Sequence, residues 1–228
     1  MADHLPTGIE SFDRLLNGGL PVKELTLIYG EAKTGKTTFL LQTTINTATK
    51  YKVLYLDVDN TFNINRFNQI ADSNDSNISH KILIFHPDTF EHQTTIIENL
   101  ENYITSITRL IVIDSITTLY QVGYTETVDR FNLNRELVRQ LAYLTGLAYQ
   151  HNLAVLFSSR VRSVFSPESM EIEPVAKRTL LYWPATIIKL KSTKTTNIKQ
   201  IIIEKSLQDT INYGCELQLR EIGFTEIQ

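Results

Sequence analysis

The sequence predicts an α/β fold: a mainly parallel twisted sheet flanked by helices, with antiparallel strands at its C-terminal end. Three observations predict it. Short runs that are apolar along their whole length recur through the first 160 residues, as strands buried on both faces do. Segments with helical spacing lie between them, so successive strands are joined by crossovers. Beyond residue 185 the alternation stops, and three strand-like runs follow with only short turns between them.

Taken in order, Thr7 and Glu10 have the spacing of a capping box. They open a short helix with Ile9, Phe12, Leu15 and Leu16 on one face, ended by Gly18 and Gly19. Residues 25–29 form an apolar strand, 30–36 a loop and 37–49 a helix. Residues 53–58 form a second strand ending in the acidic pair Asp57 and Asp59. Residues 72–79, rich in Asn, Asp and Ser, read as a surface loop. A third strand at 81–85 precedes a helix over 89–107. Residues 110–113 are a continuous apolar strand closing on Asp114. The longest helix covers 128–150, with Leu133, Leu137, Leu141, Leu144 and Ala148 near helical spacing. Residues 153–157 form the next strand. Residues 158–178 are polar, contain Pro167 and Pro174, and show no period. A connection of that length is usually functional or mobile. Residues 186–190, 198–204 and 215–219 read as the antiparallel strands.

At 228 residues with 42% hydrophobic content the chain can bury one large core. No shift in composition marks a second domain, so residues 1–228 are read as one domain. No apolar run approaches the ~18 residues of a membrane span. The N-terminus lacks the basic start and apolar stretch of a leader. Cys215 is the sole cysteine, which excludes an intramolecular disulfide. Together these features predict a cytoplasmic protein with no membrane association. The five histidines are scattered, without metal-ligand spacing.

The net charge of −3 argues against a wholesale polyanion binder, but it is unevenly spread. Residues 160–205 carry nine Lys/Arg against four Asp/Glu. A basic C-terminal third on an acidic body is either a nucleic-acid face or a solvated charged surface.

The chemistry is concentrated in Gly30-Glu31-Ala32-Lys33-Thr34-Gly35-Lys36-Thr37, a full match to G-x-x-x-x-G-K-[ST] between a strand and a helix. Glycines let backbone N–H groups turn inward around phosphate oxygens, and the helix N-terminus favours an anion. Lys36 then reaches the β- and γ-phosphates of a nucleoside triphosphate, most simply ATP. The Thr37 hydroxyl is placed to ligate Mg²⁺. Thr38 extends the nucleotide-binding set. Asp114, ending its apolar strand, has the position of a carboxylate that holds that Mg²⁺ or its water.

Beside the phosphate loop stand Leu5-Pro6-Thr7-Gly8-Ile9, Phe12-Asp13-Arg14-Leu15-Leu16 and Gly18-Gly19-Leu20-Pro21. These segments resemble the start of RecA-fold recombinases, and the chain looks most like their short archaeal RadB branch. The likeness runs from Leu5 to about Phe224 and includes Tyr182-Trp183-Pro184-Ala185-Thr186-Ile187-Ile188. It implies a RecA-like P-loop NTPase core without the N-terminal DNA-binding domain of the longer recombinases. It implies a role in homologous recombination and DNA repair, with ATP and Mg²⁺ as cofactors. The implied partners are DNA, single-stranded for preference, and a larger RadA-type recombinase. The aromatic tether by which full recombinases polymerise precedes the core, so no long self-filament is expected.

The resemblance also assigns roles by position. Asp59 falls where the family has a Glu that orients the attacking water. Arg66 falls where a guanidinium stacks on adenine. Residues 121–127 occupy the first DNA-binding loop and residues 161–178 the second. Arg160, after Ser158 and Ser159, stands where a Gln senses the γ-phosphate and relays it to the second loop. Arg160, Arg162, Lys177 and Arg178 are the candidates for DNA backbone contact, and Tyr124 and Phe165 for base stacking or plain packing. Two departures predict weak hydrolysis. Asp59 is one methylene short, setting its carboxylate back by about 1.5 Å, a misplacement that can cost about 10²-fold in rate. Arg160 has donors only and a fixed charge, so it cannot replace a Gln; it meets a phosphate of either ATP or DNA. A different reading is a KaiC-like regulatory ATPase acting through protein partners. Asp57-Val58-Asp59-Asn60 lacks the adjacent glutamates usual there, which disfavours a kinase. A third is an ATP-binding partner subunit without DNA affinity.

Overall fold

The structure, a computed structural model, describes residues 4–71, 78–126, 129–165, 170–206 and 213–227. The chain begins with β1 (His4–Leu5), α1 (Glu10–Leu15) and β2 (Leu20–Pro21), where β1 and β2 pair antiparallel. Then follow β3 (Leu25–Gly30), α2 (Lys36–Ala48), β4 (Lys52–Asp57), α3 (Ile64–Ile70), β5 (Ile82–Phe85) and α4 (Phe90–Asn99). Next come β6 (Thr108–Asp114), α5 (Thr118–Glu126), α6 (Arg130–His151) and β7 (Ala154–Ser159). A hairpin of β8 (Val161–Phe165) and β9 (Met170–Pro174) leads to α7 (Lys177–Tyr182). The chain closes with β10 (Thr186–Ser192), β11 (Ile198–Lys205), β12 (Tyr213–Arg220) and β13 (Gly223–Thr225).

Nine of these strands form one sheet in the order β13-β12-β11-β10-β3-β7-β6-β4-β5. The six from β10 to β5 run parallel, and β11, β12 and β13 extend the sheet antiparallel. β10 is the junction, parallel to β3 on one side and antiparallel to β11 on the other. Its parallel edge follows from the crossover through α7, its antiparallel edge from the short turn into β11.

The core has two halves, one on each face of the sheet. Ile28, Tyr55, Val112 and Leu156 pack with Phe12, Phe39 and Phe67 of α1, α2 and α3. Leu27, Leu54, Ile111 and Phe157, their chain neighbours, pack with Leu137, Leu141 and Leu144 of α6. This alternation explains why the central strands are apolar at every position. Across the described residues no helix is long and apolar enough to cross a membrane.

Three local expectations change. The capping box does not form: Ile9 is the N-cap of α1, with no side-chain cap. The Asp13 carboxylate instead folds back to accept from the Thr7 hydroxyl at 2.7 Å and the Thr7 and Gly8 amides at 2.9 and 3.3 Å. Residues 121–126 lie in helix α5, because Tyr120 is buried against Phe90 with ring centroids 5.9 Å apart; residue 127 lies outside the described residues. Over 161–178 the chain is a hairpin and a helix, with Val161 paired to Pro174 and Phe165 to Met170. The expected loop at 72–79 falls largely on residues 72–77, outside the described residues.

Candidate nucleotide site

The C-terminal ends of the parallel strands converge on a cleft of about 580 Å³, in the position where open α/β sheets take ligands. Its floor is the connection from β3 to α2. Lys33 and Gly35 there have φ of +64° and +98°, the left-handed backbone found in loops whose N–H groups cradle an anion. Gly35 is required twice over: its φ is left-handed, and a Cβ would meet Phe224 Cζ at 2.6 Å. A Cβ on Gly30 would meet the Leu190 carbonyl at 2.3 Å. The Thr34 hydroxyl donates to the Glu31 carbonyl at 2.8 Å and closes the loop.

Lys36 Nζ donates to the Gly30 and Glu31 carbonyls, both at 2.8 Å, so the ammonium sits over the loop's own backbone. Burial pushes its pKa down, against the opposing pull of Asp114 and Asp59. Asp114, 2% exposed at the end of β6, accepts from the Ser158 hydroxyl at 2.5 Å. Burial raises its pKa, and the Ser158 and Thr37 hydroxyls pull the other way. Its second carboxylate oxygen is buried without a hydrogen-bond partner. Thr37 and Asp114 therefore offer an all-oxygen pair with one open buried acceptor. That donor chemistry fits Mg²⁺.

Asp57 and Asp59, adjacent in the sequence pattern, part company. Asp57 is buried and accepts from the Thr61 and Phe62 amides at 3.0 and 2.8 Å, so it shapes the turn after β4. Asp59 lines the cleft. Its Oδ1 accepts from the Thr118 hydroxyl and faces Arg160 Nη2 at 3.6 Å. Arg160 also lines the cleft, with its amide held by the Thr117 hydroxyl at 2.9 Å and its carbonyl by the Val175 amide at 2.9 Å. These bonds tie it to both α5's approach and the far strand of the hairpin.

Of the expected residues, Gly30, Ala32, Lys33, Gly35, Lys36, Thr37, Thr38, Asp59, Asp114 and Arg160 line this one cleft. Arg66 stands beside it, donating to Thr38 Oγ1 at 3.4 Å and to the Arg220 and Glu221 carbonyls at 3.1 and 2.5 Å. The basic candidates for DNA contact stand around the cleft and Glu173. Arg160 is in the cleft, while Arg162 and Lys177 both pair with Glu173, Arg162 at 3.7 Å. Arg178 is exposed on α7. Tyr124 is already stacked, under the Arg130 guanidinium at 4.5 Å and beside Tyr120. The Phe165 side chain lies outside the described residues.

Sequence reasoning missed Thr118, Ser158 as a partner of Asp114, and the C-terminal strands as a wall. Leu219 lines the cleft, and Phe224 packs on Gly35 and edge-on to Phe39. Gln42 holds Phe224 through its amide at 2.8 Å and its carbonyl at 3.1 Å. No local signal marks these residues, since the contacts span over 180 positions. Thr118, four residues after Asp114, has a weak signal in its spacing alone.

Comparison with known proteins gives a consistent picture. The Rad51 family model matches residues 3–204. A DNA repair and recombination protein RadB of Thermococcus onnurineus is 33% identical over 204 residues, covering 88% of each chain. One of Methanococcus maripaludis is 31% identical over 195 residues, 85% of this chain and 87% of the relative. A solved structure described as a crystal structure of the RadB recombinase superposes with a TM-score of 0.84 and 30% identity, over 98% of this chain and 100% of that one.

Proposed function

The chain belongs to the Rad51 family, and on that premise we propose that it is a RadB-like protein of homologous recombination and DNA repair that binds ATP, engages single-stranded DNA and hydrolyses ATP slowly. The observation that carries this reading is the meeting of Lys36, Thr37, Asp114, Asp59 and Arg160 in one cleft. The names of its relatives support the recombination role.

The N–H groups of residues 30–37 cradle the phosphates. Lys36 exchanges its two carbonyl partners for β- and γ-phosphate oxygens, which accept more strongly because they are charged. Thr37 and Asp114 would hold Mg²⁺, which would supply charge neutralisation to the phosphates. Asp59, fixed by Thr118, accepts a hydrogen bond from the attacking water. Arg160 sits opposite, with five donors and no acceptor, and meets the negative charge of the γ-phosphate.

Turnover is slow for a stated reason. Asp59 Oδ1 already accepts from Thr118 and faces Arg160. A short side chain engaged on both sides is poorly free to orient water. Arg160 must leave Asp59 to reach a phosphate, and its backbone ties pass that movement to the hairpin β8–β9. The nucleotide thus acts as a conformational signal, and DNA and a larger recombinase are the partners it addresses.

The test compares single-stranded DNA binding with and without ATP and Mg²⁺ for the parent, Lys36→Ala and Arg160→Gln. Lys36→Ala is expected to weaken nucleotide binding about 100-fold or more, equal to two charge-assisted hydrogen bonds. Arg160→Gln is expected to keep nucleotide binding and lose the nucleotide dependence of DNA affinity. Unchanged nucleotide binding in Lys36→Ala refutes the role of the loop. Absent DNA affinity in the presence of ATP and Mg²⁺, or parent turnover above about 1 s⁻¹ without a partner, refutes the reading of a slow DNA-directed signal.

A further inference from the structure

We infer that a second pocket, at the N-terminal edge of the parallel strands, takes a nucleotide: its phosphate on Lys50, Arg109 and Thr47, its base against Tyr51. The cleft lies at the C-terminal edge. Helix α2 joins the two, beginning at Lys36 on the phosphate loop and ending at Ala48 beside this pocket. Its 13 residues span about 20 Å.

The pocket encloses about 320 Å³, within the lower range of small-molecule sites. Its polar lining includes Thr47, Lys50, Tyr51 and Arg109. No Asp or Glu lines it, although the chain carries more acidic than basic residues. Thr47 is 2% exposed, and its hydroxyl is buried with no hydrogen-bond partner. The contrast within α2 is informative. Thr43 and Thr44 give their hydroxyls to the carbonyls four residues back, at 2.9 and 2.8 Å. Thr47 makes no such bond, so a buried donor without a partner belongs to a residue of the pocket lining. A buried polar group left unpaired calls for a partner, and an oxyanion supplies one.

The rest of the lining selects the kind of anion. Lys50 and Arg109 provide the charge, and Arg109 is steadied by donating to the Asn152 carbonyl at 3.3 Å. Its guanidinium carbon lies 5.7 Å from the centre of the Tyr51 ring, and Tyr51 is 37% exposed. The guanidinium lies over one face of this half-open ring, and the ring surface left exposed is a platform on which a base stacks. Two cations and a hydroxyl-bearing residue in the same lining match a phosphate. The inference stands apart from the proposed function, because none of these residues borders the cleft.

The experiment follows backbone amide NMR shifts of the full chain carrying Lys36→Ala, titrated with AMP and separately with inorganic phosphate. AMP is expected to shift residues 46–52 and 109 saturably. Lys50→Ala combined with Arg109→Ala should weaken that response about tenfold or more. Tyr51→Ala should weaken AMP about fivefold and leave phosphate unchanged. No saturable shift at these residues, or a response confined to residues 30–38, overturns the site. Equal affinity for AMP and phosphate overturns its assignment to a nucleotide.

Discussion

The phosphate loop and the hairpin β8–β9 border the same cleft, but they are held in place by different forces. The loop is built from backbone: two residues with positive φ, a lysine on two carbonyls, and glycines whose Cβ positions are filled by Phe224 and the Leu190 carbonyl. The hairpin has its own β8–β9 ladder, but the charges on its outer side are ion pairs near solvent, with Arg162 and Lys177 converging on Glu173. Packing against backbone leaves little freedom, whereas exposed ion pairs break and reform at small cost. One part is therefore suited to hold a ligand, and the other to register that it is there. Asp59 and Arg160 lie at the meeting of the two.

Four measurements break or sharpen this contrast. The largest effect is expected at the loop itself. Gly35→Ala places a Cβ on Phe224 and forces a left-handed φ on alanine, with a cost of about 3 kcal/mol; denaturant unfolding reads it. A loss under about 1 kcal/mol would mean the loop yields as readily as the hairpin. Next, Asp59→Asn is expected to slow single-turnover hydrolysis about 10²-fold, with nucleotide affinity unchanged. An unchanged rate would remove Asp59 from the chemistry.

A smaller effect of opposite sign is expected at Asp114. Burial holds its folded pKa above the unfolded value of 3.8, so the ionised form destabilises the ligand-free fold at neutral pH. Asp114→Asn keeps the acceptor for Ser158 and removes the charge. It should raise the melting temperature by roughly 2–4 °C, the shift that about 1 kcal/mol produces in a domain of this size. The sign then fixes the pH dependence. The native carboxyl holds its proton more tightly than the unfolded one, so the parent regains this stability as pH falls through the raised pKa. The advantage of the variant is full above that pKa and shrinks below it. An advantage that grows on acidification would contradict the burial argument. The smallest effect belongs to the hairpin: Glu173→Gln should change stability by under about 0.5 kcal/mol, because the partners are exposed. A larger loss would make the hairpin a rigid element.

Legibility in the sequence followed the range of the interactions. That residues 30–36 join β3 to α2 and that Asp114 ends β6 is legible because each is set by a local pattern. The pairs Leu27/Ile28 and Leu54/Tyr55 announced a sheet buried on both faces by being apolar at successive positions. The Thr7–Glu10 spacing misled, since Asp13 offered the Thr7 hydroxyl a nearer acceptor. Helix α5 is not legible over 121–126, because its stability comes from Tyr120 lying on Phe90, thirty residues earlier in the chain. That Arg162 and Lys177 share Glu173 while Arg160 faces Asp59 is not legible from charge alone, because these partners come together only through the hairpin and the sheet.

By itself, the sequence determined the fold class, the phosphate loop and the acidic strand ends, because periodicity and backbone demands act over a few residues. Tertiary structure decided which of Asp57 and Asp59 faces the cleft, that Arg160 sits against Asp59, and that Phe224 props the loop at Gly35. Those choices depend on where distant strands stop beside one another, and the register of a parallel sheet is fixed only once both of its faces are packed.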